Sequence, residues 1–161
     1  MHAARTLGCG AALAALALAC RAQDWRRLEQ DGRYGEALAA LEALAAAQPG
    51  QDTQPLRHAA ELALRRLKDP EAAQRYADRI RDAAWRRYLR FAILVETGRG
   101  EEALALAADS PPDAFPPTVR TEAFLSLGHL YRKRGDAERA LAAYHRAAEA
   151  PGGSILHGSW A

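Results

Sequence analysis

β-Branched residues are scarce in this chain, and aromatics make up only 7% of it. A sheet protein draws its strands from those residues, so their shortage argues against a β or α/β fold. Cysteine is almost absent: there are two, Cys9 and Cys20, both near the start. No internal disulfide can then hold the body of the chain, and packing alone must do so. No apolar run reaches the ~20 residues that a membrane-spanning helix needs. There is no glycine-rich phosphate loop after a strand, no serine elbow and no cysteine nucleophile beyond Cys20. What is abundant is Ala, Leu, Arg and Glu, the strongest helix formers, which dominate from Asp24 to Ala150. The 161 residues amount to one all-α domain with a modest core.

The first 22 residues depart from that description. They hold no acidic residue, a single early charge at Arg5, an apolar run from Leu7 to Ala19, and small residues around Cys20 and Ala22. This is the plan of a secretory signal peptide. It predicts a mature chain in the periplasm or outside the cell. Cleavage after Ala22 removes both cysteines, whereas cleavage before Cys20 makes that thiol the first residue. The stretch Leu16-Ala17-Leu18-Ala19-Cys20 resembles a bacterial lipoprotein box, which implies a lipid anchor at Cys20. It departs from that pattern in placing Ala17 where a large aliphatic residue is usual. The chain's formal charge of +2 includes Arg5 and Arg21, so a mature chain from Gln23 is neutral. A neutral domain has no global attraction to nucleic acid or to an anionic bilayer, which leaves Cys20 as the only expected link to a membrane.

From Gln23 onward the chain repeats. Gly32-Arg33-Tyr34-Gly35-Glu36-Ala37-Leu38, Gly98-Arg99-Gly100-Glu101-Glu102-Ala103-Leu104 and Gly135-Asp136-Ala137-Glu138-Arg139-Ala140-Leu141 share a glycine followed five residues later by alanine and leucine. Lys68-Asp69-Pro70-Glu71-Ala72-Ala73 fits the same slot with lysine for glycine. The aligned alanines Ala37, Ala73, Ala103 and Ala140 lie 36, 30 and 37 residues apart. A glycine can close one helix in the left-handed conformation, acidic residues or proline open the next, and the alanine lets the two approach closely.

The last unit, with Phe124, Leu127, Gly128, Tyr131, Gly135, Ala140, Tyr144, Ala147 and Pro151, resembles the tetratricopeptide repeat. The likeness is fuller there than over Asp24–Pro112. It implies a short α-α superhelical solenoid of about four helix pairs, spanning 23–151 between the signal peptide (1–22) and a tail (152–161). Helices are expected near 24–31, 35–48, 54–67, 70–81, 83–97, 100–109, 118–134 and 137–149. The break at Asp82-Ala83 is the least compelled, and one long bent helix is the alternative there. Trp25, Leu28, Leu38, Leu41, Leu44, Leu56, Leu67, Ile80, Leu89, Leu94, Leu104, Phe124, Leu127, Tyr131, Leu141 and Tyr144 recur at helical spacing as the expected core. Ile155, Leu156 and Trp160 can fold over the last pair; otherwise that end is open to a partner or a second copy.

The resemblance also implies a site. The first helix of each tetratricopeptide pair lines a concave groove, which carries Glu122, Leu125, His129, Arg132 and Lys133 into the groove in the last unit. In the third unit it carries Trp85, Tyr88 and Ala92. The carboxylate-clamp version of the family has Asn where this chain has His129, so the same peptide specificity is not implied. Trp85 and Tyr88 beside Arg86 and Arg87 would suit a peptide-binding hot spot; equally, they would suit a core. Arg57 to Arg90 is rich in basic residues and Glu96 to Asp113 in acidic ones, which suggests a basic patch for an acidic ligand.

Expected function is therefore a protein or peptide adaptor of the bacterial cell envelope, without cofactor and without catalysis. The alternative is an accessory subunit that stabilises an envelope enzyme or transport complex. A third reading, of another class, is a hydrolase or metal site built from His58, Glu61 and His129.

Overall fold

The structure is a computed structural model that describes residues 25–47, 50 and 53–150. The leader with Cys9 and Cys20, and the tail with Ile155, Leu156 and Trp160, lie outside the described residues. Among the described residues there is no strand, and eight helices follow one another. They are α1 (25–30), α2 (Tyr34–Ala47), α3 (Thr53–Arg65), α4 (Pro70–Arg79), α5 (Ala83–Glu96), α6 (Gly100–Asp109), α7 (Arg120–Arg134) and α8 (Ala137–Glu149). Each expected helix is present, with ends displaced by two residues at most. The chain divides into two compact units, one ending at Arg79 and the other beginning at Ile80.

The break before α5 is real, and the Asp82 side chain caps the helix that follows it. Residues 80–82 are not helical. Asp82 takes an extended backbone, and its carboxylate accepts from the N–H groups of Ala84 (2.8 Å) and Trp85 (3.1 Å). Those donors would otherwise lack acceptors at the start of the helix.

The four repeat slots are built alike. Gly32, Gly98 and Gly135 are left-handed at φ 74°, 73° and 84°, and Lys68 takes the same turn at φ 55°. Just past each glycine, the N–H of Arg33, Arg99 and Asp136 returns to the carbonyl five residues back, on Leu28, Leu94 and Tyr131. This closes the preceding helix. At the lysine the bond is one residue wider, Asp69 to Ala63. The next helix then opens identically in all four. The carbonyls of Arg33, Asp69, Arg99 and Asp136 accept from the N–H of Ala37, Ala73, Ala103 and Ala140 at 3.0–3.1 Å. All four alanines are buried. Two slots add an aspartate cap, with Asp69 on the N–H of Ala72 and Asp136 on that of Arg139. The other two add an Arg33–Glu36 or Arg99–Glu102 pair, each with a 2.7 Å bond.

Lys68 alone among these left-handed residues has a Cβ, and that conformation costs an L-residue about 1–2 kcal/mol. Lys68→Gly is expected to stabilise the protein by about 0.5–1 kcal/mol, net of the larger backbone entropy glycine loses on folding. A higher urea midpoint at unchanged slope would show it. A lower midpoint would mean the lysine side chain earns its place.

In the first unit α3 packs against both α2 and α4. Its core is Leu41, Leu56, Ala59, Ala60, Leu62, Ala63 and Ala73. The Tyr76 hydroxyl donates to Glu42, 34 residues earlier, at 2.7 Å. Burial first and that carboxylate second push the phenol up to about 12.

In the second unit α7 and α8 form an antiparallel hairpin, as the order of their contacts requires: Arg139 lies over Tyr131, Tyr144 against His129, and Arg146 over Phe124. Gly128 is needed at the crossing, because a Cβ there would come within 2.3 Å of the Tyr144 ring. The stretch from Pro111 to Val119 contributes more than punctuation. It winds into two 3-10 turns, Pro112–Ala114 and Pro117–Val119, and α7 begins after them at Arg120. Between them Phe115, only 1% exposed, lies 5.7 Å from the Phe91 ring and 6.1 Å from Tyr88.

Two expected core residues are exposed, Leu67 at 40% and Leu141 at 59%. Leu67 falls beyond the end of α3, in the turn. On α8 the buried seam is Ala140, Ala143 and Ala147, and Leu141 lies one position, some 100°, around from it. Alanines hold the closest approaches, so Leu28, Leu38, Leu44, Leu94, Tyr131 and Tyr144 flank the seams and are only half-buried.

Candidate protein-binding face

Helix α7 separates its side chains by spacing. Ala123, Phe124, Leu127 and Gly128 are buried. The opposite side carries Glu122, Leu125, His129, Arg132 and Lys133 at steps of three and four, which puts them on one face. Leu125 is half-buried and the other four are exposed. The five residues expected in the groove of the last unit are therefore brought together.

Neighbouring rings fix both edges of that face. From α5 the Tyr88 hydroxyl donates to the Glu122 carboxylate, 34 residues later, at 3.1 Å. From α8 the Tyr144 hydroxyl meets Nδ1 of His129 at 3.1 Å, the rings edge to face at 5.6 Å. A short polar contact on each side orders Glu122 and His129 without burying them.

The residues of α5 are placed differently from the expectation of an exposed hot spot. Tyr88 is 2% exposed and forms part of the core, in contact with Phe115 and Trp85. Only its hydroxyl reaches the surface chemistry. Trp85 is half-buried, edge-on to Tyr88 at 5.9 Å, and Ala92 is half-buried too. The Arg86 guanidinium turns back to the Ile80 carbonyl at 2.9 Å and so clamps the start of α5. Arg87 is exposed.

Charge is distributed by pairing across the repeat. Glu101 meets Arg134 at 3.2 Å and Asp113 meets Arg146 at 2.6 Å, each pair 33 residues apart. Glu102 is held by Arg99. Two of the five acids in 96–113 are thus answered by arginines 33 residues on, and a third by Arg99 three residues before it. Arg132 and Lys133 make no ion pair among the described residues, and they give the C-terminal end of the α7 face a net positive charge. Their position in the last turn also favours the helix itself, through its dipole.

In the first unit a separate polar cluster surrounds His58. Its ring lies tilted against Trp25 at 4.8 Å, and the Arg26 guanidinium lies over that indole at 4.8 Å. Arg57 approaches Nε2 at 3.1 Å and Glu61 approaches Nδ1 at 3.7 Å. The carboxylate favours the imidazolium. Burial, then Arg57 and Arg26, oppose it and prevail, taking the imidazole down to about 4. His58 is therefore neutral at pH 7. His58 and Glu61 belong to the first unit and His129 to the second. Among the described residues no three His, Cys, Asp or Glu side chains are grouped closely enough to hold a metal ion.

No described helix is long and apolar enough to cross a membrane. Comparison with protein families, with curated proteins and with solved structures finds no match.

Proposed function

We propose that this chain is an exported adaptor of the bacterial cell envelope, a short tetratricopeptide-like solenoid whose α7 face binds a peptide or protein partner. The observation that carries the reading is the one-sided display of Glu122, Leu125, His129, Arg132 and Lys133, held at its edges by Tyr88 and Tyr144. An ordered strip with an apolar centre, a carboxylate at one end and cations at the other that make no ion pair among the described residues is a recognition surface, and nothing in it requires catalysis. The repeat supports the solenoid. Four slots share one local geometry, and side chains 33 or 34 positions apart meet in both units. Residues one period apart are neighbours when like units stack. Export follows from the leader, whose cleavage after Ala22 or before Cys20 decides between a free periplasmic or secreted chain and a lipid-anchored one.

Capture from envelope extract tests the face. The wild-type chain is expected to retain a discrete partner, and a Leu125→Ser, Arg132→Glu variant with unchanged circular dichroism is expected to lose at least 90% of it, the consequence of about 1.4 kcal/mol or more. Equal retention by both would remove α7 as the binding face. Mass spectrometry of the mature N-terminus, read in the same preparation, separates the two processing routes.

A further inference from the structure

Beside the α7 face lies a cleft of about 330 Å³, between the end of α5, the start of α6 and the last turns of α7. Its apolar lining is Val95, Leu104 and Leu130, and Glu101, Lys133 and Arg134 stand around it. Gly98, left-handed and without a side chain, keeps one side open: a Cβ there would meet nothing within 4 Å. Arg134 is engaged by Glu101 at 3.2 Å. Lys133, which also belongs to the α7 face, is unpaired among the described residues.

Size decides what the cleft can take. Pockets for small molecules run from ~300 to 1,000 Å³ and enclose most of the ligand. An open cleft at the bottom of that range suits one side chain, as anchor pockets at protein interfaces do. Charge decides what stands next to that side chain. Once Arg134 and Glu101 have answered each other, one ammonium remains at the mouth.

We infer that this cleft is an anchor pocket for one medium-sized apolar side chain of a partner protein, with an adjacent carboxylate on Lys133. The inference rests on the adaptor reading and gives its partner a local chemistry: an acidic residue next to leucine or a residue of similar size. A segment running along α7 reaches the pocket through Lys133, so the face and the cleft form one continuous site.

Blocked dipeptides, N-acetylated and C-amidated, provide the probe. Aspartyl-leucine at millimolar concentration is expected to shift the amide resonances of Val95, Gly98, Leu104 and Lys133 in the full chain. Aspartyl-alanine and lysyl-leucine should bind about tenfold more weakly, one for want of the anchor and the other for want of the charge. Lys133→Ala should erase the preference for aspartyl over lysyl. Val95→Phe should fill the cleft and abolish the response, with circular dichroism unchanged. Equal responses to the three dipeptides, or shifts elsewhere only, would overturn the inference. If Val95→Phe still captures the envelope partner that the α7 variant loses, the pocket falls and the adaptor stands. If aspartyl-leucine binds the cleft selectively but no partner is ever captured, the adaptor reading falls and the pocket remains.

Discussion

Phe115→Ala is expected to destabilise the protein by about 3–5 kcal/mol, the cost of emptying a buried phenylalanine site. The ring is 1% exposed and contacts Phe91 and Tyr88. It also sits where the chain has little freedom to close the gap. Its N–H is tied to the Pro112 carbonyl at 3.0 Å, and its own carbonyl accepts from Nε of Arg120 at 3.0 Å. Prolines at 111, 112, 116 and 117 further restrict the backbone on both sides. A site that cannot collapse keeps its cavity, which places the expected cost toward the upper half of the range. Phe115→Leu, which keeps most of the volume, should cost less than half as much. Urea unfolding of both variants beside the wild type checks this. A loss below about 1 kcal/mol for the alanine variant would mean that the ring is a surface cover and not part of the core.

The second large effect is a pH dependence carried by His58. Its ordinary value of 6.5 drops to about 4 in the folded protein, so between those two values the unfolded chain holds a proton that the folded chain rejects. Stability from this group is fully present above pH 6.5 and is lost as pH falls toward 4. The difference between the two values corresponds to roughly 3 kcal/mol at most, with the imidazole 24% exposed. The loss is expected to appear as a falling urea midpoint between pH 6.5 and 4.5 in the wild type. In His58→Gln the fall should be shallower, because glutamine keeps polar contacts to Arg57 and Glu61 but takes no proton. Carboxylates titrate at the low end in both proteins, so the difference between the two curves isolates the histidine. Parallel curves would show that His58 is freely solvated and that Trp25 does not shield it.

Much of the helical frame was legible because the signal was local. Asp82, Asp136 and the glycines at 32, 98 and 135 act within five residues of themselves, and such chemistry is readable without knowing the fold. Even Lys68 falls in the glycine slot by the spacing of the repeat alone, although lysine gives no hint of a left-handed backbone. The α7 face was legible for a related reason: five residues at helical spacing share a side whatever the tertiary arrangement. The failures come from non-local packing. Phe115 sits in a proline-rich stretch with no periodicity, so only its neighbours Phe91 and Tyr88 identify it as core. Leu141 satisfies a helical pattern, yet the seam follows the smaller Ala140, because hairpin helices this close leave room for a methyl group and little more. The spacing of Tyr88 suits a surface hot spot or a core equally, and its burial depends on Phe115, 27 positions away. The cleft had no signature at all, since its floor draws single residues from three helices.

The left-handed turns at Gly32, Lys68, Gly98 and Gly135 are closed by bonds that span five or six residues, and α3–α4, α5–α6 and α7–α8 pack together across three of them. Such a chain has short loops to close and little search to perform, the conditions under which helical proteins fold in microseconds to milliseconds. Each hairpin can form as soon as its second helix is available, before the remainder of the chain has arrived. A polypeptide delivered end-first through a narrow channel would then gain order progressively along its length.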